Sequence, residues 1–282
     1  MVEIQIKNVT KKYGKKTALN NINIGIPTGI FGLLGSNGAG KTTLMKCLVG
    51  LLKYEGQIEI LKAGIKQNGT IKIGYLPQRF MLFKQLTVKE ALEYVAVLKK
   101  VNNKDEIDRI IDKVNLAQER NKKVKDLSGG MLRRLGIAQA LIGNPGILVI
   151  DEPTVGLDPK ERVRIRNLLS GLGDEMIVII STHIVEDLDA IAKHVAILKE
   201  GNIIEQGSVR DLLSKLHGKV GTLTIKREEL QKYESGYSVS SVSNVDDSLL
   251  IRIIGDKLPE NSKLEAPKLE DVYFYYNGVG ND

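Results

Sequence analysis

GSNGAGKTT, residues 35 to 43, constrains this chain more than any other stretch. It fits G-x-x-x-x-G-K-[ST], a loop whose glycines let backbone N–H groups close on a phosphate. The motif carries weight only between a strand and a helix. Both are predicted. IFGLL before it is a continuous apolar run that follows the turn Pro27-Thr28-Gly29, and Leu44, Cys47 and Leu48 after it recur at helical spacing. The candidate phosphate residues are therefore Gly35, Ser36, Asn37, Gly38, Ala39, Gly40, Lys41, Thr42 and Thr43. In this motif Lys41 reaches the β and γ phosphates, and the Thr42 hydroxyl sits on magnesium.

The rest of the chain supplies an acidic strand for that loop. ILVIDE ends in Asp151, a carboxylate at a strand's C-terminal edge that suits a magnesium shell, and in Glu152, which suits polarising an attacking water. Together these residues predict an ATPase. Upstream, EIQIKNVT and ALNNINIGI alternate with period two and read as antiparallel strands. From Thr87 the pattern turns helical, opened by a Thr87–Glu90 capping box with Ala91, Leu92, Val95 and Leu98 on one face. A second helix carries Ile107, Ile110, Ile111 and Val114. After Asp151 come a charged helix from about Pro159 to Leu172, the strand MIVII, a short helix and a hairpin-like HVAILKEGNIIEQG. Strand and helix alternate, which predicts an α/β core with a helical insertion at about residues 85 to 143.

A second anion site is predicted inside that insertion. DLSGGMLRR, residues 126 to 134, puts Ser128, Gly129 and Gly130 where an amphipathic helix begins, and a helix N-terminus presents free N–H groups to anions.

Composition excludes several classes. With 282 residues, 42% hydrophobic and 27% charged, the chain reads as globular, with room for a large core. The N-terminus lacks an apolar signal region, and aliphatic runs such as Ile177 to Ile180 are too short for a bilayer, so the chain is expected neither to be secreted nor to span a membrane by itself. A single cysteine, Cys47, excludes an internal disulfide and reads as buried filler. The net charge of +7 hints at acidic partners, but the lysines are scattered and predict a solvated surface without nucleic-acid binding.

In its order of motifs the chain resembles the nucleotide-binding subunit of ATP-binding cassette (ABC) transporters, over about residues 2 to 215. LPQ, ending at Gln78, and LSGG, from Leu127, lie between the phosphate loop and ILVIDE, with GLDP and STH after it. The resemblance implies a P-loop NTPase core with an antiparallel β subdomain, binding ATP and Mg2+. It makes Tyr13 the aromatic that stacks on adenine and Gln78 the lid residue sensing magnesium and the γ-phosphate. Asp158 becomes the dimer-contact aspartate, and His183 the switch histidine. Singly, Tyr13 also reads as a hairpin residue, Gln78 and Asp158 as turn residues, and His183 as a helix start. In the resembled family LSGG closes over a nucleotide held by a second subunit, so a head-to-tail pair, identical or not, encloses two MgATP. Met131 departs from the glutamine usual in the family, and methionine cannot hydrogen-bond a ribose as an amide can.

The resemblance further implies a cytoplasmic motor bound peripherally to a separate membrane permease, similar to ATPases of bacterial exporters of drugs, antibiotics and bacteriocins. The run RFMLF, residues 79 to 83, reads equally as a groove for a permease helix and as packing of the insertion on the core. Two other readings, a soluble ABC ATPase acting on DNA or the ribosome and a low-turnover regulator, lack their supporting features. The first needs a long coiled coil or a duplicated cassette, and Glu152 and His183 argue against the second. Beyond about residue 218 the composition shifts. GTLTI, YSVSSVS and LLIRII read as strands and Pro267 as the opening of a helix with Leu269, Val272, Tyr273 and Tyr276 on one face. The expected domains are thus an ATPase domain, 1–217, and a small α+β appendage, 218–282.

Overall fold

The computed structural model describes residues 2–62, 65–66 and 71–278, so the last four residues of the appendage lie outside the described ones. The chain forms two compact units, Met1–Ile203 and Ile204–Asp282. This division falls earlier than the compositional change near residue 218.

In the first unit, β1 (Val2–Tyr13) and β2 (Lys16–Ile26) form an antiparallel hairpin, followed by β3 (Gly29–Leu34) and α1 (Lys41–Leu48). The alternation seen in the sequence is the register of the hairpin: Ile4 pairs with Ile26 and Ile6 with Ile24, and all four are buried. β4 (Glu55–Lys62) and β5 (Ile65–Lys66) complete a sheet in the order β2-β1-β4-β5. β6 (Ile73–Leu76) then enters the central sheet.

The insertion comprises α2 (Val88–Leu98), α3 (Lys104–Lys113) and α4 (Gly129–Leu141). The capping box forms as expected: Thr87 Oγ1 accepts from Glu90 N at 3.2 Å, and Glu90 Oε2 accepts from Thr87 N at 2.8 Å. Ala91, Leu92 and Val95 are buried, but Leu98 is 65% exposed because the helix ends there and its last turn leaves the core. A second correction concerns α4. It is buried on nearly every side from Gly130 to Leu141, so it is a central rod rather than an amphipathic surface helix.

β7 (Ile147–Asp151), α5 (Pro159–Gly173), β8 (Ile177–Thr182), the short α6 (Val185–Asp189) and β9 (His194–Lys199) follow. The boundary between the units falls on β10 (Asn202–Ser208). The central sheet has the order β10-β9-β3-β8-β7-β6, and β9, β3, β8, β7 and β6 run parallel. Every residue of β3, β7 and β8 is buried, as strands covered on both faces require. Their carboxyl ends converge: Leu34 pairs with Thr182, and Asp151 with Ser181. Ligands of open α/β sheets bind at this edge.

The second unit holds α7 (Val209–Ser214), β11 (Val220–Lys226), α8 (Leu230–Gly236), β12 (Ser238–Val245), β13 (Ser248–Ile254), β14 (Lys263–Leu264) and α9 (Leu269–Asn277). Its sheet has the order β12-β13-β11-β14, with Leu223, Ile225, Leu249, Ile251 and Ile253 as core. The helix expected from Pro267 starts at Leu269, with Lys268 as N-cap. Leu269 and Val272 are buried, and Tyr273 and Tyr276 half-buried. α9 is pinned to the sheet through Asp271, whose carboxylate takes Arg252 Nε at 2.9 Å and Nη2 at 2.7 Å.

Candidate active site

The phosphate loop follows β3, and its shape depends on two glycines. Gly40 has a φ of 114°, and a Cβ there would lie 2.8 Å from the Ala18 carbonyl oxygen, so no other residue fits. At Gly35 a Cβ would lie 2.4 Å from Leu198 O. Gly40 is the N-cap of α1 and has no side chain to offer, which leaves the first-turn N–H groups of Lys41, Thr42 and Thr43 for an anion. Lys41 is only 4% exposed; its Nζ donates to Gly35 O at 2.6 Å and Ser36 O at 3.0 Å, and stands 3.2 Å from Glu152 Oε1.

Thr42 reaches past β8 to the end of β7. Its Oγ1 donates to Asp151 Oδ2 at 2.7 Å, and Ser181 Oγ donates to Asp151 Oδ1, so both carboxylate oxygens are oriented. Glu152 has a φ of 51°, uncommon for a side-chain-bearing residue and typical of functional positions. Ser181 stabilises the kink, since its carbonyl and its hydroxyl each accept from Glu152 N at 3.1 Å. The turn aims the buried carboxylate at two partners, Lys41 and His183, whose Nδ1 is 2.9 Å from Oε2.

These groups surround a cavity of 340 Å³ lined by Asn37, Gly38, Gly40, Lys41, Thr42, Thr43, Gln78 and Glu152. The lining suits a phosphate chain: backbone N–H groups at a helix start, one ammonium and one carboxylate. It also suits magnesium, which takes one or two protein oxygens beside phosphate and water and does not need a cage of carboxylates. Thr42 and Gln78 line the cavity, and Asp151 stands behind the Thr42 hydroxyl. Among the described residues no cluster of three His, Cys, Asp or Glu side chains exists that could hold an ion alone.

The other expected residues lie elsewhere. Tyr13 ends β1, 48% exposed, with Lys11 Nζ 5.1 Å from its ring centroid. Ser128 and Gly129 are exposed at the start of α4, where Ser128 Oγ accepts from Met131 N at 3.3 Å. Gly130 is buried against Glu161, and a Cβ on it would meet that carboxylate at 2.3 Å. Asp158 is exposed and caps α5, its Oδ1 accepting from Glu161 N at 2.9 Å.

Sequence reasoning missed two groups. Arg133 on α4, 8% exposed, donates to Asp151 O at 2.6 Å, Pro153 O at 3.0 Å, Gln78 O at 3.1 Å, Pro77 O at 3.4 Å and Glu152 O. Burial pulls its guanidinium below the ordinary arginine value, and the carboxylates of Asp151 and Glu152 oppose that shift. Its one sequence signal is an arginine pair inside an otherwise apolar helix, LRRLGIAQAL. The second group joins Thr154 to Asp187, both buried, by a hydrogen bond from the Thr154 hydroxyl to Asp187 Oδ2. A threonine and an aspartate in separate segments give no local sign of pairing.

A family model described as ABC transporter matches residues 19–155. The bacitracin transport ATP-binding protein BcrA of Enterococcus faecalis is 36% identical over 216 residues, 74% of this chain and 70% of that protein. The chain belongs to the ABC transporter family. The lantibiotic transport ATP-binding protein SrtF of Streptococcus pyogenes is another relative of this ABC ATPase, 37% identical over 71% of this chain and 89% of its own length. A dimeric ATP-binding cassette solved in a post-hydrolysis state with ADP and Pi aligns with a TM-score of 0.62 and 29% identity, covering 73% of this chain and 98% of that one. The chain is accordingly a transporter ATP-binding subunit that hydrolyses ATP with Mg2+, in a family whose cassettes form dimers.

Proposed function

We propose that this ATPase drives export of antibiotic- or bacteriocin-like cargo through a separate membrane permease, hydrolysing two ATP in a head-to-tail pair of cassettes. One observation carries the head-to-tail part: the exposed Ser128–Gly129 helix start is absent from the lining of the chain's own phosphate cavity. A helix terminus with free N–H groups, held away from its own loop, suits a phosphate held by another subunit. Ser128, Gly129 and Gly130 then grip the partner's γ-phosphate, and Asp158 lies along the same contact.

In this reading Tyr13 stacks on adenine with the ring face opposite Lys11. Lys41, now shared between loop carbonyls and Glu152, turns to the β and γ phosphates. Its departure frees Glu152 Oε1 to take the proton of the water that attacks the γ-phosphorus as the bond to the β–γ bridging oxygen breaks and ADP leaves, while His183 holds Oε2 in line. Thr42 and Asp151, with Gln78 as sensor, would hold magnesium, whose charge would offset that of the transferring phosphate.

Export and permease coupling rest on two supports. The relatives above are transport proteins for bacitracin and lantibiotics. Just before the insertion, Met81 is 96% exposed and Phe83 58%, with Phe83 edge-on to Tyr94 at 5.1 Å, while Phe80 packs over Gly136 of α4. The run RFMLF thus serves both readings, Phe80 as packing and Met81 with Phe83 as a docking surface. Among the described residues no helix is long and apolar enough to cross a membrane. In this reading the chain attaches to the cytoplasmic face through the permease.

Size-exclusion chromatography in MgATP tests the pair. Glu152→Gln should form a dimer, and adding Ser128→Arg should abolish it while monomer ATP binding persists. An equally tight dimer with Ser128→Arg present rejects the head-to-tail site. Co-purification with a hydrophobic chain, lost in Phe83→Glu, tests the permease.

A further inference from the structure

Arg133 sits on α4, the helix that opens with Ser128, yet all the acceptors of its guanidinium are backbone oxygens around the phosphate cavity. Nη1 holds Pro77 and Gln78, Nη2 holds Asp151 and Glu152, and Nε holds Pro153. One planar fork with donors in fixed directions thus binds two loops to one helix. These are not contacts that a shift of α4 can leave behind. Releasing the fork strands a buried cation and several buried carbonyls, so the loops travel with the helix. α4 is one unbroken helix, buried on nearly every side from Gly130 to Leu141, so its N-terminus and Arg133 belong to one rigid element.

We propose that Arg133 is a positioning residue that carries the seating of Ser128–Gly130 on the partner's nucleotide to Gln78 and Glu152 of its own site. Gripping one ATP thereby aligns the hydrolytic groups for the other. The inference rests on the head-to-tail reading above.

The test uses Arg133→Met in the full chain, alone for kinetics and with Glu152→Gln for dimerisation. The MgATP dimer should form as in Glu152→Gln alone and KM for ATP should stay unchanged, while kcat falls on the order of 10- to 100-fold, as for small misplacement of reacting groups. Hydrogen exchange adds a readout that general damage does not mimic. In Glu152→Gln, dimerisation should protect residues 78–83 and 151–157; with Arg133→Met, protection should remain at the phosphate loop and at 128–131 but disappear from those two segments. Parental kcat and protection in a folded Arg133→Met chain overturn the proposal, and so does a kcat loss accompanied by loss of the dimer. If Arg133→Met does not fold, Arg133→Lys decides by the same criteria, since an ammonium cannot bridge both loops. Unfolding of both variants makes Arg133 a folding pin and overturns the link. Failure of Glu152→Gln alone to dimerise rejects the head-to-tail reading instead.

Discussion

His183 Nδ1 lies 2.9 Å from Glu152 Oε2, and the other oxygen of that carboxylate is 3.2 Å from Lys41 Nζ. One buried side chain therefore faces both the lysine of the phosphate loop and the imidazole of His183. If Glu152 takes the water's proton, Glu152→Gln should keep ATP binding and lose steady turnover by roughly 10²- to 10⁴-fold. Lys41→Ala should lose binding itself. Equilibrium binding of a fluorescent ATP analogue beside a phosphate-release assay separates the two, and near-parental turnover in Glu152→Gln rejects the assignment.

Thr42 and Ser181 orient the two oxygens of Asp151 from opposite sides. Asp151→Asn keeps the shape but removes the charge proposed to attract Mg2+. Its ATPase rate should require more free Mg2+ than the parent, and Ser181→Ala should show a smaller shift of the same sign. Superimposable Mg2+ titrations would exclude Asp151 from the metal shell.

Tyr13 offers one ring face, because Lys11 lies over the other. Base–aromatic stacking contributes about 1–3 kcal/mol by alanine substitution, so Tyr13→Ala should weaken ATP binding by roughly 5- to 150-fold. Tyr13→Phe keeps the ring and should bind ATP as the parent does. Equal ATP affinity of Tyr13→Ala and the parent removes Tyr13 from the adenine site.

Thr154 and Asp187 are a buried pair, and Asp187 Oδ1 has no hydrogen-bond partner among the described residues. Thr154→Val should destabilise the chain by about 1–3 kcal/mol, since it deprives the other carboxylate oxygen as well. Adding Asp187→Leu should recover part of that loss, because an apolar pair leaves nothing unsatisfied. Urea unfolding of the single and double variants decides, and a double variant less stable than Thr154→Val contradicts the pairing.

Asp271 is 1% exposed and accepts from Arg252, Ser240 Oγ and Lys268 N. Breaking such a buried pair from one side costs about 3–5 kcal/mol. Arg252→Ala should therefore raise hydrogen exchange across α9, where limited proteolysis should also begin. Unchanged exchange in α9 would mean that its apolar contacts suffice to hold it.

Local chemistry made much of this legible in the sequence. GSNGAGKTT specifies its backbone through Gly40 and brings Lys41 and Thr42 to the start of α1, all within one turn of chain. The hairpin register followed from alternation in EIQIKNVT, and the Thr87–Glu90 capping box from a spacing of three. Periodicity was less informative where burial is uniform. α4 contains arginines, so it read as two-sided, yet those arginines are inside, paid for by acceptors that the helix itself does not contain.

The sequence by itself determined the phosphate loop, because its glycines, lysine and hydroxyl are placed by their own backbone and immediate neighbours. Only the tertiary structure decided which groups surround them. β8 lies between β3 and β7, and that order brings Ser181 under Asp151 and Glu152 and carries His183 to the Glu152 carboxylate. Arg133 finds its carbonyls, and Thr154 its aspartate, across gaps in sequence that no pattern spans. Hydrogen-bond partners of buried polar groups are chosen by proximity after the chain has packed, and proximity between distant segments is a property of the fold.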